Sequence, residues 1–171
     1  MTTKNALAMK FTKVRTADRF ERLYTAYQAD DGFNVGDLTI MLNSWRAQQM
    51  YTVKIRDDED DDDDVDDEQD ELPVILCLTR TKNPGVEKMW GSPFYYQIDF
   101  LWVDPACRGQ YIGHYVMEQL IEIGQFNDHY PLTVRNPRSL ISFFLRFGFI
   151  TTDTGIMIHE PQLKNLGKCD Y

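Results

Sequence analysis

The stretch YYQIDFLWVDPACRGQYIGHYVMEQLIEIG, residues 95–124, decides the fold class of this chain. Its first part, Tyr95–Val103, is rich in aromatic residues, and its carboxyl-terminal end is apolar enough for a central strand. Its last part has apolar residues at helical spacing, and Gly124 is suited to end the helix. These residues are Ile112, Val116, Leu120 and Ile123. The stretch therefore predicts a strand, a glycine-containing turn and a helix in direct succession.

The turn between this strand and this helix has the architecture of an anion site. The N–H groups of such a turn and of the helix start converge on one point, where the helix dipole favours negative charge. Arg108 adds a cation, and Gly109 and Gly113 let an oxyanion approach the backbone. No Lys-Ser or Lys-Thr pair follows the last glycine, which excludes a P-loop, and Tyr111 interrupts a dinucleotide fingerprint. The alternative is a strand–helix connection whose glycines serve only tight packing.

The other elements follow from the same periodicities. Before the stretch, residues 9–15 predict a strand, 20–27 and 38–45 two helices, and 50–56 and 73–81 two strands. After it, we predict a strand at 132–135, a helix from Asn136-Pro137 to Gly148, and a hairpin of 149–152 and 156–159. This order predicts a single domain of mixed α/β (α+β) class. Its sheet should be mostly antiparallel and twisted, with about six to seven strands flanked by helices.

Composition excludes several classes of protein. The chain has 171 residues, of which 43% are hydrophobic, and this suits a globular domain. No apolar run approaches the roughly 18 residues of a membrane helix, and the amino terminus does not resemble a signal peptide. The three cysteines, Cys77, Cys107 and Cys169, form no CxxC pair and no Cys/His cluster. We therefore expect no disulfide framework and no metal site, and a reducing, cytoplasmic location. Cys107, beside Arg108 near a helix start, is either an activated thiol or a packing residue.

The acidic charge of the chain is concentrated in one segment. The net charge is −9, but 13 of the 27 acidic residues lie at 57–71, which leaves 14 acids and 18 bases, or +4, elsewhere. We predict that 57–71 is a solvated loop insertion between two strands of a hairpin. The alternative is an electrostatic lure for a basic acceptor, such as a polyamine, a lysine-rich tail or an aminoglycoside.

With its elements in this order, the chain resembles the GNAT superfamily of N-acetyltransferases. Their fourth strand ends in an apolar-x-Val pattern, followed by a Q/R-x-x-G-x-G/A turn and a long helix. Here these features correspond to Leu101-Trp102-Val103 and to residues 108–113. The family's asparagine after the fifth strand and its later Gly-Phe pair correspond to Asn136 and Gly148-Phe149. The resemblance extends over residues 9–160 and is most specific over 95–149.

The resemblance implies acetyl-CoA as the co-substrate and assigns residues to it. The pyrophosphate would lie on the turn and the helix start, at Arg108, Gly109, Gln110, Tyr111, Ile112, Gly113 and His114. The pantetheine arm would pair like an added strand with the backbone of Leu101, Trp102 and Val103, and Asn136 would contact it from the facing strand. Phe144 occupies a cofactor-contacting helix position at which the family often carries a Tyr that protonates the departing thiolate.

The reaction that the resemblance implies is acetylation of a primary amine on a small molecule or a protein. Asp99, the only acid of the strand 95–103, is the candidate base, and strand alternation puts it on the face of Leu101 and Val103. Its alternative role is a solvent-facing or ion-paired carboxylate. Because Phe144 has no proton to give, the alternative function is a catalytically weak or inactive GNAT-like domain that binds CoA or a protein partner. We expect neither a membrane nor a nucleic acid as a partner.

Overall fold

The computed structural model describes residues 8–56, 71–82, 94–123, 131–135 and 140–159. The elements in chain order are β1 (Ala8–Lys13), α1 (Ala17–Gln28), α2 (Asp37–Arg46), β2 (Met50–Arg56), β3 (Glu71–Lys82), β4 (Phe94–Val103), α3 (Ile112–Glu118), β5 (Leu132–Arg135), α4 (Ile141–Arg146), β6 (Ile150–Thr151) and β7 (Ile156–His159). A 3-10 helix, Pro105–Cys107, lies between β4 and α3, and a π-helical segment, Gln119–Ile123, continues α3.

The described strands form a seven-stranded sheet in the order β1-β2-β3-β4-β5-β7-β6. The pairs β1/β2, β2/β3, β5/β7 and β6/β7 are antiparallel, and β4/β5 is parallel. This confirms the predicted mixed class and the mostly antiparallel sheet flanked by helices. By their contacts the residues group into two compact units. The first comprises the described residues up to Thr79 with Asp99–Tyr115, and the second those of Arg80–Ile98 and those from Val116 onward.

The first unit is built around the apolar stripe of α1. Thr16 caps this helix, because its side chain accepts a hydrogen bond from the Arg19 N–H (3.4 Å) that the helix start leaves without an acceptor. Phe20, Leu23 and Tyr27 of the stripe are buried. The core against which they pack includes Met41, Met50, Ile75, Cys77 and Trp102. Helices α1 and α2 therefore cover one face of β2, β3 and β4.

Glu71 corrects one boundary of the predicted acidic loop. The prediction extends this loop to residue 71, but Glu71 is the first residue of β3. Its side chain is 8% exposed, and it forms ion pairs with Arg19 and with Arg22, whose Nη2 lies 3.0 Å from Glu71 Oε2. A carboxylate that leaves water needs such partners, so the pairing with two arginines explains why this acid belongs to the sheet. Residues 57–70 lie outside the described residues.

The second unit contains the parallel strand pair. Here β4 and β5 pair from Tyr96↔Leu132 to Ile98↔Val134, and β5 pairs on its other side with β7. The predicted final hairpin is confirmed as β6 and β7, although β6 is shorter than the predicted 149–152. Gly155 in its turn has a φ of 78°, a backbone conformation that glycine adopts without a steric penalty.

Two helices differ in extent from their predictions. The helix predicted for 112–123 is α-helical only to Glu118 and continues as a π-helix to Ile123. The spacing of apolar side chains does not reveal this change, because it lies in the backbone hydrogen bonds. The last helix is described over Ile141–Arg146, and its predicted start at Asn136-Pro137 lies outside the described residues. No helix of the described ranges is both long and apolar enough to cross a membrane.

Candidate functional site

The end of β4 and the turn after it form the candidate site. The Asp104 side chain accepts a hydrogen bond from the Ala106 N–H (2.8 Å), and this contact starts the 3-10 helix Pro105–Cys107. The Asp104 N–H donates to the carbonyl of Pro73 in β3 (3.0 Å), which fixes the start of the turn to the neighbouring strand. The start of the turn is therefore held by the neighbouring strand, as the loops that carry binding residues commonly are.

Two residues of the turn have left-handed backbone. The φ of Gly109 is 81° and the φ of Tyr111 is 61°. Glycine adopts this conformation without a steric penalty, whereas a tyrosine there carries roughly 1 kcal/mol of strain. Tyr111 thus keeps the backbone path that a glycine would favour, and its side chain is 80% exposed. A Cβ added at Gly109 would meet no described atom within 4 Å, so no described residue crowds the backbone at this point of the turn.

Arg108 is held by the end of β4 and by Asp30, two residues after α1. Its Nε donates to the Val103 carbonyl (2.9 Å), and its Nη2 donates to Asp30 Oδ2 (2.5 Å). The same carboxylate accepts from the Trp102 indole N–H (2.7 Å) and, through Oδ1, from the Gly32 N–H (3.2 Å). These donors, the Trp102 indole first, lower the pKa of Asp30 below its ordinary value. We call Asp30, Trp102 and Arg108 the Asp30 cluster.

The turn leads directly into the start of α3. Ile112 is buried at this point, and the Tyr115 N–H donates to the Tyr111 carbonyl (2.8 Å). The Tyr115 hydroxyl donates to the carbonyl of Met9 in β1, and burial raises the pKa of this tyrosine. The first N–H groups of a helix have no acceptor within the helix, and the positive end of its dipole lies there. The arrangement is therefore suited to bind an anion.

The last part of β4 extends beyond its described pairing with β5. The final pair is Ile98 with Val134, and β4 continues to Val103. Trp102 is buried by the aromatic contact of its ring with Tyr27, and Leu101 and Val103 are half-buried. The backbone groups of such a strand end can pair with an extended ligand.

Asp99 lies beside Thr79 of β3, whose hydroxyl donates to Asp99 Oδ2 (2.5 Å). Strict alternation would place Asp99 and Phe100 on opposite faces of β4. The Phe100 ring packs on Tyr27 of α1 with 5.2 Å between the ring centroids, while Asp99 lines a groove beside α2. Because α1 and α2 cover the same face of the sheet, Asp99 and Phe100 both face these helices. The prediction that strand alternation places Asp99 on the face of Leu101 and Val103 is therefore wrong.

The remaining predicted residues of the turn and of α3 are accessible or half-buried. Gln110 and His114 are exposed, and the His114 ring lies edge-on to Tyr111 with 6.4 Å between the centroids. Gly113 is half-buried in the first turn of α3. That Gln110, Gly113 and His114 contact a cofactor remains a prediction.

Phe144 has the contacts of a core residue. It is 1% exposed, and its ring lies against Phe143 (5.4 Å between centroids) and Phe149 (5.3 Å). Asn136, the other predicted contact from the later part of the chain, lies outside the described residues.

The surroundings of Cys77 and Cys107 raise the pKa of both thiols. Burial raises the pKa of Cys107, and the negative charge of Asp104 raises it further. Burial raises the pKa of Cys77 to about 12. A nucleophilic thiol needs a lowered pKa, so packing is the role that the surroundings of Cys107 support. In these ranges no three His, Cys, Asp or Glu side chains lie together to hold a metal ion.

Two residues of the site are not identifiable from the sequence. Asp30 contacts Arg108 across 78 positions of the chain, and Thr79 contacts Asp99 across 20. The only local signal at Asp30 is the Asp-Asp-Gly that ends a helix, and Thr79 is an ordinary strand residue. No local pattern encodes a contact over such separations.

The sequence profile of the acetyltransferase (GNAT) family matches residues 41–149, more than half of the chain, including β4, the turn and α3. No curated protein sequence matches the chain. One similar solved structure is a GNAT-family protein from Desulfovibrio desulfuricans, with a TM-score of 0.58 and 13% identity over 90% of this chain and 99% of that one. A second is the N-acetyltransferase YlbP of Bacillus subtilis in complex with coenzyme A, with a TM-score of 0.54 and 14% identity over 90% of this chain and 97% of that one. A third is NAA60 of Arabidopsis thaliana in complex with acetyl-CoA, with a TM-score of 0.55 and 11% identity over 89% of this chain and 98% of that one. At these identities the likeness shows the fold. Together with the profile match it confirms the resemblance: the chain belongs to the acetyltransferase (GNAT) family.

Proposed function

We propose that this protein transfers the acetyl group of acetyl-CoA to a primary amine. The observation that carries the proposal is the turn at 108–113, where left-handed backbone at Gly109 and Tyr111 leads from the end of β4 into the start of α3. Family membership supports it, and so do the ligands of two similar structures, coenzyme A in YlbP and acetyl-CoA in NAA60.

The pyrophosphate of acetyl-CoA fits this turn. Its negative charge matches the N–H groups of residues 109–114 and the positive end of the α3 dipole. An oxyanion has room above Gly109, because no described atom lies within 4 Å of the point that a Cβ would occupy there. The Arg108 side chain is 52% exposed while it contacts Asp30, so its positive charge remains available beside the turn. Gln110, Ile112 and Gly113 complete the proposed binding segment.

The pantetheine arm fits the end of β4. This arm carries amide groups, and an extended chain of amides can pair with the backbone of Leu101 and Val103 as an added strand would. The buried Trp102 between them keeps that part of β4 in place through its contacts with Tyr27 and Asp30. In this arrangement the thioester lies further along β4, toward Asp99.

The proposed reaction is the attack of a neutral amine on the thioester carbonyl. A C–N bond forms, the C–S bond breaks, the amine loses one proton and the thiolate of coenzyme A gains one. We assign to Asp99 the removal of the proton from the amine, with the Thr79 hydroxyl (2.5 Å) holding the carboxylate in place. A backbone N–H at the end of β4 would donate to the oxyanion of the tetrahedral intermediate.

Phe144 favours a second candidate function, in which the protein binds CoA without efficient transfer. Its ring carries no hydroxyl and is 1% exposed, so it offers no proton to the thiolate. Help from a general acid is typically worth about 10²–10⁴-fold in rate. If water protonates the thiolate instead, turnover is slow but not abolished.

The acceptor and the location of the protein form a further part of the proposal. The acidic residues at 57–70 would favour a basic acceptor, since opposite charge raises its local concentration. The separated cysteines favour a cytoplasmic site of action.

The test is a calorimetric titration with acetyl-CoA, followed by an assay for free CoA thiol in the presence of primary amines. Binding with amine-dependent thiol release supports acetyl transfer. Binding without release under any amine supports the second candidate. Absence of acetyl-CoA binding at millimolar concentration contradicts both.

A further inference from the structure

A groove of about 350 Å³ lies on the side of the sheet that α2 covers. Its polar lining comes from Asn43 and Ser44 of α2, Gln49 before β2, Thr79 of β3 and Asp99 of β4. Ile40 of α2 and Ala47, just after this helix, complete the lining. All these residues belong to the first compact unit, so this groove is formed within that unit.

The chemistry of the lining favours a cationic ligand with several polar groups. Asp99 contributes a carboxylate, and none of the groove-lining residues, all from the described ranges, is cationic. The Thr79 hydroxyl donates to Asp99 and lies 3.5 Å from Gln49 Oε1, so these three side chains already form a connected polar wall. Asn43 on the opposite helix is exposed and adds an amide donor and acceptor. An ammonium group beside Asp99, followed by hydroxyl groups, would add hydrogen bonds to these side chains.

The size of the groove favours a small molecule. A volume of about 350 Å³ is near the lower end of the range of ligand pockets, which suits a small ligand. A polypeptide acceptor would place one lysine side chain here, and the aliphatic stem of that side chain would make no hydrogen bond to the polar lining. The Asp99 end is also placed for chemistry, because two residues along a strand separate it from Leu101 by roughly 7 Å.

We infer that this groove is the acceptor site and that its substrate class is a small, polyhydroxylated or otherwise polar primary amine, with the amine at Asp99. The inference rests on the proposed acetyl transfer, but the binding of the amine is a separate property of the groove. It therefore predicts amine binding in the absence of acetyl-CoA as well as amine acetylation in its presence.

The first experiment measures binding in the absence of acetyl-CoA by ligand-observed NMR, with glucosamine as the probe. A short peptide with one lysine represents the alternative class of acceptor. We expect glucosamine to bind the wild-type protein at millimolar concentration and the Asn43→Leu variant at least about fivefold more weakly, since one hydrogen bond is lost and apolar bulk enters the groove. Thr39→Leu is the matched control, because Thr39 is an exposed residue of the same helix outside the lining. It should bind glucosamine as wild type does.

The second experiment measures acetyl transfer to glucosamine by thiol release. Thr79→Val removes a hydroxyl while keeping the shape of the side chain, and we expect it to raise KM for glucosamine about tenfold with KM for acetyl-CoA unchanged. The inference is overturned if glucosamine does not bind, if Asn43→Leu binds it as wild type does, or if the peptide is acetylated in preference. If the protein does not bind acetyl-CoA, the proposed acetyl transfer is contradicted. The glucosamine binding experiment then still tests whether the groove is an amine site.

Discussion

The Asp30 cluster provides a prediction whose size follows from its geometry. We predict that Asp30→Asn lowers the free energy of unfolding by about 2 kcal/mol at neutral pH. The carboxylate is 8% exposed and accepts hydrogen bonds from Trp102 (2.7 Å), Arg108 (2.5 Å) and the Gly32 N–H (3.2 Å). A hydrogen bond to a charged group is worth about 1.5–3 kcal/mol. The pair with the half-exposed Arg108 is screened by water and adds at most about 1 kcal/mol. The amide keeps the shape and some acceptor capacity, so the loss is less than the sum.

The assay is urea unfolding followed by tryptophan fluorescence, with Asp31→Asn as the control because Asp31 is exposed and adjacent. With a slope of about 2 kcal/mol/M, a loss of about 2 kcal/mol moves the midpoint by roughly 1 M. The control should change stability by less than about 0.5 kcal/mol. Equal midpoints for the two variants would refute the role of the cluster.

The same prediction has a pH dependence of defined sign. The folded-state pKa of Asp30 is lowered, so its contribution is fully present above the unfolded value of about 3.9 and is lost as pH falls through the folded value. The difference between wild type and Asp30→Asn should therefore be constant from neutral pH down to about pH 5 and shrink below about pH 4. A difference that grows on acidification would contradict the assignment.

Three other substitutions or reactions test the fold and the turn. Glu71→Gln should lower the free energy of unfolding by about 3 kcal/mol, because it leaves the buried Arg19 guanidinium without its carboxylate; a loss below about 1 kcal/mol in urea unfolding would contradict the pairing. Tyr111→Gly should change the free energy of unfolding by less than about 0.5 kcal/mol, because relief of the left-handed backbone strain offsets the added freedom of the unfolded chain. Its affinity for acetyl-CoA, measured by calorimetry, should be equal to that of wild type or tighter. Cys77, buried and with a pKa of about 12, should remain unmodified by iodoacetamide at pH 8 while Cys107 reacts slowly, as peptide mass mapping would report; rapid labelling of Cys77 would show that β3 opens.

Much of the fold could be predicted because its signals are local. The aromatic and apolar residues of β4, the stripe of α1 and the turn signal at Gly155 each lie within a few residues, and the structure contains all three elements. The change from α to π-helix at Gln119 could not be predicted, because apolar spacing is insensitive to it. The sequence places Glu71 in the acidic loop because its two arginine partners lie about fifty positions earlier, where no local rule connects them.

The candidate site could be predicted only in part for the same reason. The sequence contains the glycines and the arginine of the turn, and the resemblance locates the cofactor segment. It does not reveal that Arg108 is tied to Asp30, nor that Tyr111 adopts the backbone of a glycine. The predicted face of Asp99 depends on strict alternation, which fails where Asp99 and Phe100 both face the helices. Such features depend on tertiary packing and on local backbone deviations.

The most direct test of the central claim, that the turn at 108–113 binds acetyl-CoA, is the thermal shift that acetyl-CoA produces in wild type and in Gly113→Asp. At a hundredfold excess over Kd we expect the wild-type Tm to rise by about 5–10 °C. The added carboxylate in the first turn of α3 would repel the pyrophosphate, so Gly113→Asp should show no shift. Thr25→Asp, which adds the same charge at an exposed position of α1, should keep the wild-type shift. An equal shift in Gly113→Asp and wild type would contradict the claim.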